Sequence, residues 1–142
     1  MSRPVCSGFT LLEVMVVVLV IGLLAGLVAP QIFGRVSEAK ITTAGAQIDL
    51  LSVALDSYRL DNGFYPTTEQ GLEALRVRPT RDPVPSSWRG PYLRKPVPLD
   101  PWKRPYLYRG SGPGEERGFE IATLGRDGVP GGEGEDADLK GG

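Results

Sequence analysis

The hydrophobic positions of this chain fall into two successive patterns. From Phe9 to Ala29 the residues form a nearly uninterrupted apolar run in which Glu13 is the only ionisable side chain. A run of about 20 apolar residues, at about 1.5 Å rise per residue, is long enough to cross the core of a bilayer. The first pattern therefore predicts a transmembrane helix over residues 9–29.

Beyond Pro30 the apolar residues return with helical spacing, and polar residues fill the remaining surface. These apolar positions are Val36, Ile41, Ala44, Ile48, Leu51, Leu55 and Tyr58. They predict an amphipathic continuation of the helix over residues 30–62, with a bend near Pro30 because proline removes a backbone donor. Since Asn and Gly favour a left-handed C-terminal turn, we expect the helix to end near Asn62 and Gly63.

Residues 63–142 predict a small globular head. Thr67 and Gln70 have the spacing of a capping box at the start of a short helix. Eight prolines lie between positions 76 and 105, a density that excludes a regular helix or central strand. We expect this stretch to be a loop that wraps the head.

Two short segments of alternating character follow, Tyr106–Tyr108 and Phe119–Ala122. They predict two strands joined through the glycine-rich stretch Gly110–Gly114. That stretch lacks the Lys-Ser/Thr ending of a phosphate-binding loop, so we interpret it as a hairpin connection.

Composition narrows the function further. A chain of 142 residues suggests one domain, and the net charge of -1 gives no electrostatic case for nucleic acid binding. The chain has no histidine, and its only cysteine, Cys6, precedes the apolar run. The usual general bases, thiol nucleophiles and zinc ligands are therefore largely missing, and we expect a protein that is not an enzyme.

Glu13 is the unusual residue of the apolar run. A carboxylate at the centre of a membrane helix costs roughly 2.5–3.5 kcal/mol on insertion scales, unless it is paired or lies near the interface. A secretory signal peptide fits poorly, because Pro30 follows the run where a cleavage site would be needed. Cleavage between Gly8 and Phe9 would place a positive amino group on Phe9, one helical turn from Glu13.

The string from Gly8 to Glu13, GFTLLE, resembles the processing signal of type IV pilins and type II secretion pseudopilins. The strings LDNGFYPTTEQGL (60–72) and LDPWKRPY (99–106) are similar to the major pseudopilin family of type II secretion in particular. The resemblance covers nearly the whole chain. It implies an α+β, pilin-like fold, in which a long N-terminal helix packs on a small antiparallel sheet.

The resemblance also implies a function. A prepilin peptidase would remove residues 1–8 and methylate Phe9, and Phe9 and Glu13 would then guide assembly between neighbouring copies. The subunit would wait in the bacterial inner membrane as a single-pass protein, with its head in the periplasm. It would polymerise, with minor pseudopilins and an inner-membrane platform, into a pseudopilus that drives export of folded proteins. A type IV pilus subunit and a membrane-anchored calcium-binding module are the alternatives.

Five carboxylates lie among glycines between Asp127 and Asp138. Calcium takes six to eight oxygen ligands from carboxylates and main-chain carbonyls, although composition alone also fits a solvated acidic tail. The resemblance implies a calcium loop in which Asp127 is a side-chain ligand beside the carbonyls of Leu124 and Val129. Asp136 or Asp138 would complete the set, with the parts of Glu133 and Gly132 left open.

Overall fold

The computed structural model describes residues 8–114 and 118–142 of the chain. It contains one long helix, α1 (Leu11–Asn62), and a sheet of three strands, β1 (Leu107–Gly110), β2 (Phe119–Thr123) and β3 (Leu139–Gly141). The predicted α+β class is therefore confirmed. The predicted leader, residues 1–8, lies outside the described residues except for Gly8.

The helical assignment of α1 continues through Pro30, so the proline does not end the helix. A bend at Pro30 stays a prediction. The chain divides into two compact units, the first ending at Val36 and the second running from Ser37 to Gly142. In the first unit, the span Leu11–Val28 has a mean hydropathy of 2.9 and none of it is buried. Its length and composition are those of a helix that can cross a membrane.

In the second unit, one face of α1 forms the core of the head. Ala44, Ile48, Leu51, Leu55 and Tyr58 are buried there at spacings of three or four residues, as the amphipathic pattern predicted. Buried residues from the turn after α1, the short 3₁₀ helix, the proline-rich segment, the entry to β1, and β2 belong to the same core cluster: Tyr65, Leu72, Leu75, Leu93, Tyr106 and Ile121. Full burial of a leucine-sized side chain stabilises the fold by about 1.5–3 kcal/mol, so this single cluster organises the head.

The end of α1 and the following turn have the predicted chemistry. The N–H of Gly63 donates to the carbonyl of Arg59 (2.7 Å), and Gly63 has a left-handed φ of 83°. Thr67 and Gln70 form a reciprocal box: the Gln70 N–H donates to Thr67 Oγ1 (3.2 Å) and the Thr67 N–H to Gln70 Oε1 (3.1 Å). The short 3₁₀ helix Leu72–Leu75 follows and buries both of its leucines. Its N-cap is Gly71, which makes no side-chain cap hydrogen bond, so the box closes the turn before this helix and, contrary to the prediction, does not cap the helix itself.

The proline-rich segment is a loop tied to the rest of the head. Trp88 Nε1 donates to the carbonyl of Ala74 (3.1 Å), and the N–H of Tyr92 donates to the carbonyl of Leu75 (2.7 Å). The Tyr92 hydroxyl donates to Asp61 Oδ2 (2.8 Å) near the end of α1. These contacts confirm the prediction of a wrapping loop.

The sheet has the order β1-β2-β3, and both pairs of strands are antiparallel. The hairpin of β1 and β2 was predicted, and in the structure Tyr108 lies opposite Ile121. Strand β1 runs to Gly110, which was predicted to lie in the connection. Strand β3 was not predicted, and it pairs with β2 through Ala122 and Lys140. It passes so close to α1 that a Cβ on Gly141 would overlap Ile48. Because of β3, the segment before it returns to the second half of α1.

Candidate functional site

The predicted processing junction lies just outside α1. Gly8 and Phe9 precede the first helical residue, Leu11, and Phe9 is 83% exposed. Beyond them Thr10 caps the helix, because its Oγ1 accepts the N–H of Glu13 (3.2 Å). The peptide bond between Gly8 and Phe9 is thus non-helical and exposed, as a protease needs.

The Glu13 carboxylate completes a capping box that was not predicted from the sequence. Its Oε2 lies 3.5 Å from the N–H of Thr10, at the outer limit of a hydrogen bond. Among the described residues Glu13 makes no ion pair. The spacing T-x-x-E was the available signal. Within the part of the chain that the structure describes, Glu13 therefore has one weak backbone partner and no cationic partner.

The predicted calcium residues lie in one loop, residues 124–138, between β2 and β3. Asp127 Oδ1 accepts the N–H of Val129 (3.0 Å), and the carbonyl of Leu124 accepts the N–H of Gly128 (3.2 Å). Gly125 has a φ of 62°, and a Cβ there would approach the carbonyl oxygen of Glu135 to 2.7 Å. Only glycine allows the two sides of the loop to come this close.

The two candidate closing carboxylates have different surroundings. Both oxygens of Asp136 accept hydrogen bonds from the Arg126 guanidinium, at 2.9 Å and 2.8 Å. Asp138 Oδ2 accepts the N–H of Gly131 (3.1 Å), whereas its Oδ1 is buried and has no hydrogen-bond partner within residues 8–114 and 118–142. Asp136 is therefore neutralised within the chain. Asp138 presents an oxygen that lacks the partner a buried polar atom requires.

Carboxylates alone do not form a metal site here. Within residues 8–114 and 118–142, no group of three or more Asp, Glu, His or Cys side chains is placed to hold a metal ion. A cation at Asp127 and Asp138 would need main-chain carbonyls and water for its other ligands. That donor set is one that calcium accepts.

Glu135 is a site residue that the sequence analysis did not single out. Its Oε1 accepts hydrogen bonds from Trp102 Nε1 (2.9 Å) and Lys40 Nζ (3.2 Å), and its Oε2 lies 3.7 Å from Arg126 Nη1. The Trp102 hydrogen bond, followed by that of Lys40, lowers the pKa of Glu135. Lys40 and Glu135 lie 95 residues apart, so no local pattern could have paired them.

Two arginines complete this network. Arg104 donates to the carbonyls of Gly125 (2.7 Å) and Arg126 (2.8 Å) from the segment that enters β1. The hydrogen bonds of Arg126 to Asp136 raise the pKa of the guanidinium above its ordinary value. Arg104, which lies outside the acidic loop, and Arg126, which lies within it, therefore both hold the loop in place.

Residues 31–141 match the family described as "Type II secretion system (T2SS), protein G". The chain belongs to the type II secretion system protein G family. Residues 3–29 match the prokaryotic N-terminal methylation motif, which includes Gly8, Phe9 and Glu13. The predicted family is therefore confirmed.

Sequence similarity to two bacterial proteins supports this assignment. The chain is 48% identical over 139 residues to the type II secretion system core protein G of Pseudomonas aeruginosa, covering 98% of this chain and 96% of the relative. It is also 48% identical over 134 residues to that of Vibrio cholerae, covering 94% and 89%.

The fold agrees as well. The structure is similar to the crystal structure of the major pseudopilin from the type 2 secretion system of enterohaemorrhagic Escherichia coli, with a TM-score of 0.62 and 39% identity. The match covers 75% of this chain and 86% of that one. The protein G family chain described here thus has the pilin-like fold that the resemblance implied.

Proposed function

We propose that this protein G family chain is the major structural subunit of a type II secretion pseudopilus. A prepilin peptidase cuts the precursor between Gly8 and Phe9 and methylates the new amino group. The first half of α1 then holds the subunit in the inner membrane, with the head in the periplasm. Copies leave the membrane to form a filament that drives export of folded proteins. The role is structural and not catalytic.

One observation carries this proposal: apart from Glu13, the span Leu11–Val28 is apolar on all sides, and none of it is buried. Each leucine or valine left in water forgoes about 1.5–3 kcal/mol of burial, so lipid or other helices must cover the span. The N-terminal methylation motif covers the same segment. A permanent anchor would need no exposed junction at Phe9 and no carboxylate at Glu13.

Mass spectrometry of the purified protein tests the processing step. We expect a mature chain that begins at methylated Phe9. An intact leader would contradict the proposal.

Export of secreted proteins in a strain that lacks the gene distinguishes a pseudopilus from a type IV pilus. Loss of export supports the pseudopilus, whereas normal export with loss of surface pili supports the pilus.

The variant Glu13→Ala tests assembly. We expect the protein to remain in the membrane, because removing a carboxylate makes the helix more apolar, and we expect filaments to be lost. Electron microscopy of overproduced filaments and membrane fractionation provide the two measurements. Glu38→Ala, at an exposed helical glutamate outside the membrane span, is the matched control. Normal filaments from Glu13→Ala would contradict a pairing role for this residue.

We also propose that the 124–138 loop binds one calcium ion. Asp127 and Asp138 would supply side-chain oxygens, and Leu124 and Val129 would supply carbonyls, with water completing the set. The buried, unpartnered Oδ1 of Asp138 supports this assignment, since a cation would satisfy it. Asp136 fits less well because Arg126 already binds both of its oxygens.

Thermal unfolding of the detergent-solubilised protein, with calcium or with EDTA, tests the ligands one at a time. Calcium should raise the Tm of the natural protein, and Asp127→Ala and Asp138→Asn should abolish that increase. Glu133→Gln is the matched control, because Glu133 is exposed in the same loop. A full calcium response from Asp127→Ala or Asp138→Asn would exclude the changed residue as a ligand. Loss of the response in Glu133→Gln would add Glu133 to the set.

A further inference from the structure

Three separate segments of the head meet at the carboxylate of Glu135. Lys40 reaches it from α1, Trp102 from the proline-rich loop, and Arg126 from the other side of the C-terminal loop. The Glu135 side chain is only 16% exposed, so solvent screens these contacts less than it screens an ordinary surface ion pair. Glu135 is therefore positioned to connect the loop with the rest of the head.

Arg126 closes the loop upon itself. Its backbone N–H donates to the carbonyl of Glu135 (2.9 Å), and its guanidinium binds Asp136 through two parallel hydrogen bonds. Paired hydrogen bonds between arginine and a carboxylate combine charge with a fixed geometry. Residues 127–134 are thus enclosed by contacts between Arg126 on one side and Glu135 and Asp136 on the other.

We propose that Glu135 and Arg126 form a metal-independent brace that fastens the C-terminal loop to α1 and to the Trp102 segment. Every contact of this brace joins two groups of the protein itself. The brace therefore holds the ends of the loop in place whether or not a cation is bound. A cation would order chiefly the residues enclosed between them.

Charge explains why such a brace is useful. The loop has five carboxylates between Asp127 and Asp138, and their mutual repulsion opposes a closed loop. Arg126 neutralises Asp136, and Lys40 neutralises Glu135. Among the described residues Asp127, Glu133 and Asp138 take no part in these ion pairs, and Asp127 and Asp138 are the side chains proposed above to bind calcium. The brace thus leaves both proposed calcium ligands outside its ion pairs; this last point alone depends on the calcium proposal.

Hydrogen exchange of the detergent-solubilised full chain, measured by mass spectrometry in EDTA, tests the brace directly. In Glu135→Gln and Arg126→Ala, we expect amides of residues 125–138 to exchange about tenfold faster than in the natural protein. Arg126→Lys should restore part of the protection, because it keeps the charge but loses the paired hydrogen bonds. Glu133→Gln, two residues from Glu135, should exchange like the natural protein.

A variant outside the loop separates the brace from local damage. Lys40→Gln changes only α1, yet it should also speed exchange in residues 125–138 while amides of the α1 core, residues 44–58, stay protected. If Glu135→Gln unfolds the whole head, Lys40→Gln still tests the brace, because it leaves the sequence of the loop unchanged. Unchanged protection of the loop in Lys40→Gln and Arg126→Ala would overturn the proposal.

Repeating the measurement with calcium distinguishes this proposal from the calcium site. We expect calcium to restore more protection in Arg126→Ala than it adds to the natural protein, because the variant loop begins less ordered and more negative. If calcium changes exchange in no variant while the EDTA differences remain, the calcium site is wrong and the brace stands. Equal gains from calcium in Arg126→Ala and the natural protein would overturn the link between the two.

Discussion

Replacing Asp100 by alanine would remove the buried carboxylate that organises the entry to the sheet. Asp100 is only 3% exposed. Its Oδ1 accepts the N–H groups of Trp102 (3.0 Å) and Arg104 (2.8 Å), and its Oδ2 accepts the hydroxyl of Thr123 (2.5 Å) on β2. One side chain therefore fixes the turn before β1 and also joins that turn to β2.

The expected cost follows from these three hydrogen bonds. Each hydrogen bond to a charged acceptor contributes about 1.5–3 kcal/mol, and the contributions within one network do not add fully. Removing the carboxylate also relieves the cost of burying a charge, which acts in the opposite direction. We therefore expect Asp100→Ala to lower the free energy of unfolding by about 2–4 kcal/mol, a large share of the roughly 5–15 kcal/mol typical of a domain.

Thermal unfolding of the detergent-solubilised protein, followed by circular dichroism, measures this loss. At about 4 °C per kcal/mol, Asp100→Ala should lower the Tm by about 8–16 °C. Asp100→Asn keeps the shape of the side chain and part of its hydrogen bonding, so its Tm should lie between those of the natural protein and Asp100→Ala. Asp49→Ala, at an exposed aspartate on α1, is the control. If Asp100→Ala unfolds within about 2 °C of this control, the network does not stabilise the head as argued.

Two further predictions concern buried tyrosines. Tyr58 is fully buried and its hydroxyl has no hydrogen-bond partner among the described residues, so Tyr58→Phe should raise the Tm; a lower Tm would show that the hydroxyl has a partner. Burial raises the pKa of Tyr58 and of Tyr106 to about 12, above the ordinary value near 10. In the unfolded chain these hydroxyls lose their protons at a lower pH than in the folded protein, so deprotonation favours unfolding. The Tm should therefore fall as the pH rises from 9 to 11. A constant Tm over this range would contradict the assignment.

The parts of the fold that local chemistry decides were predictable. The apolar residues at positions 44–58 recur with the period of a helix, and Gly63 ends it with a left-handed turn. The box of Thr67 and Gln70 needs only residues three apart. In each case the residues that decide the structure are neighbours in sequence, so the pattern is visible without the fold.

The parts that depend on distant contacts were not predictable. Strand β3 has only three residues, and two glycines end the chain, so its pairing with β2 gives no alternating pattern. The different surroundings of Asp136 and Asp138 depend on where the Arg126 side chain points, whereas composition does not distinguish the two aspartates. Glu135 contacts Lys40 because the pairing of β3 with β2 brings the loop back to α1.

The proposed exchange of lipid for filament has an energetic consequence. Lipid tails are about as apolar as leucine, so moving the span Leu11–Val28 from the bilayer into a bundle of similar helices gains little hydrophobic energy. The free energy that favours the filament must therefore come from groups whose free energy differs between the bilayer and the filament. Glu13 is such a group, because a carboxylate costs up to roughly 2.5–3.5 kcal/mol in hydrocarbon and pairing with a positive amino terminus would offset part of that cost. Apolar exchanges such as Leu19→Ile should consequently leave filament formation intact, whereas the loss of this single charge should not.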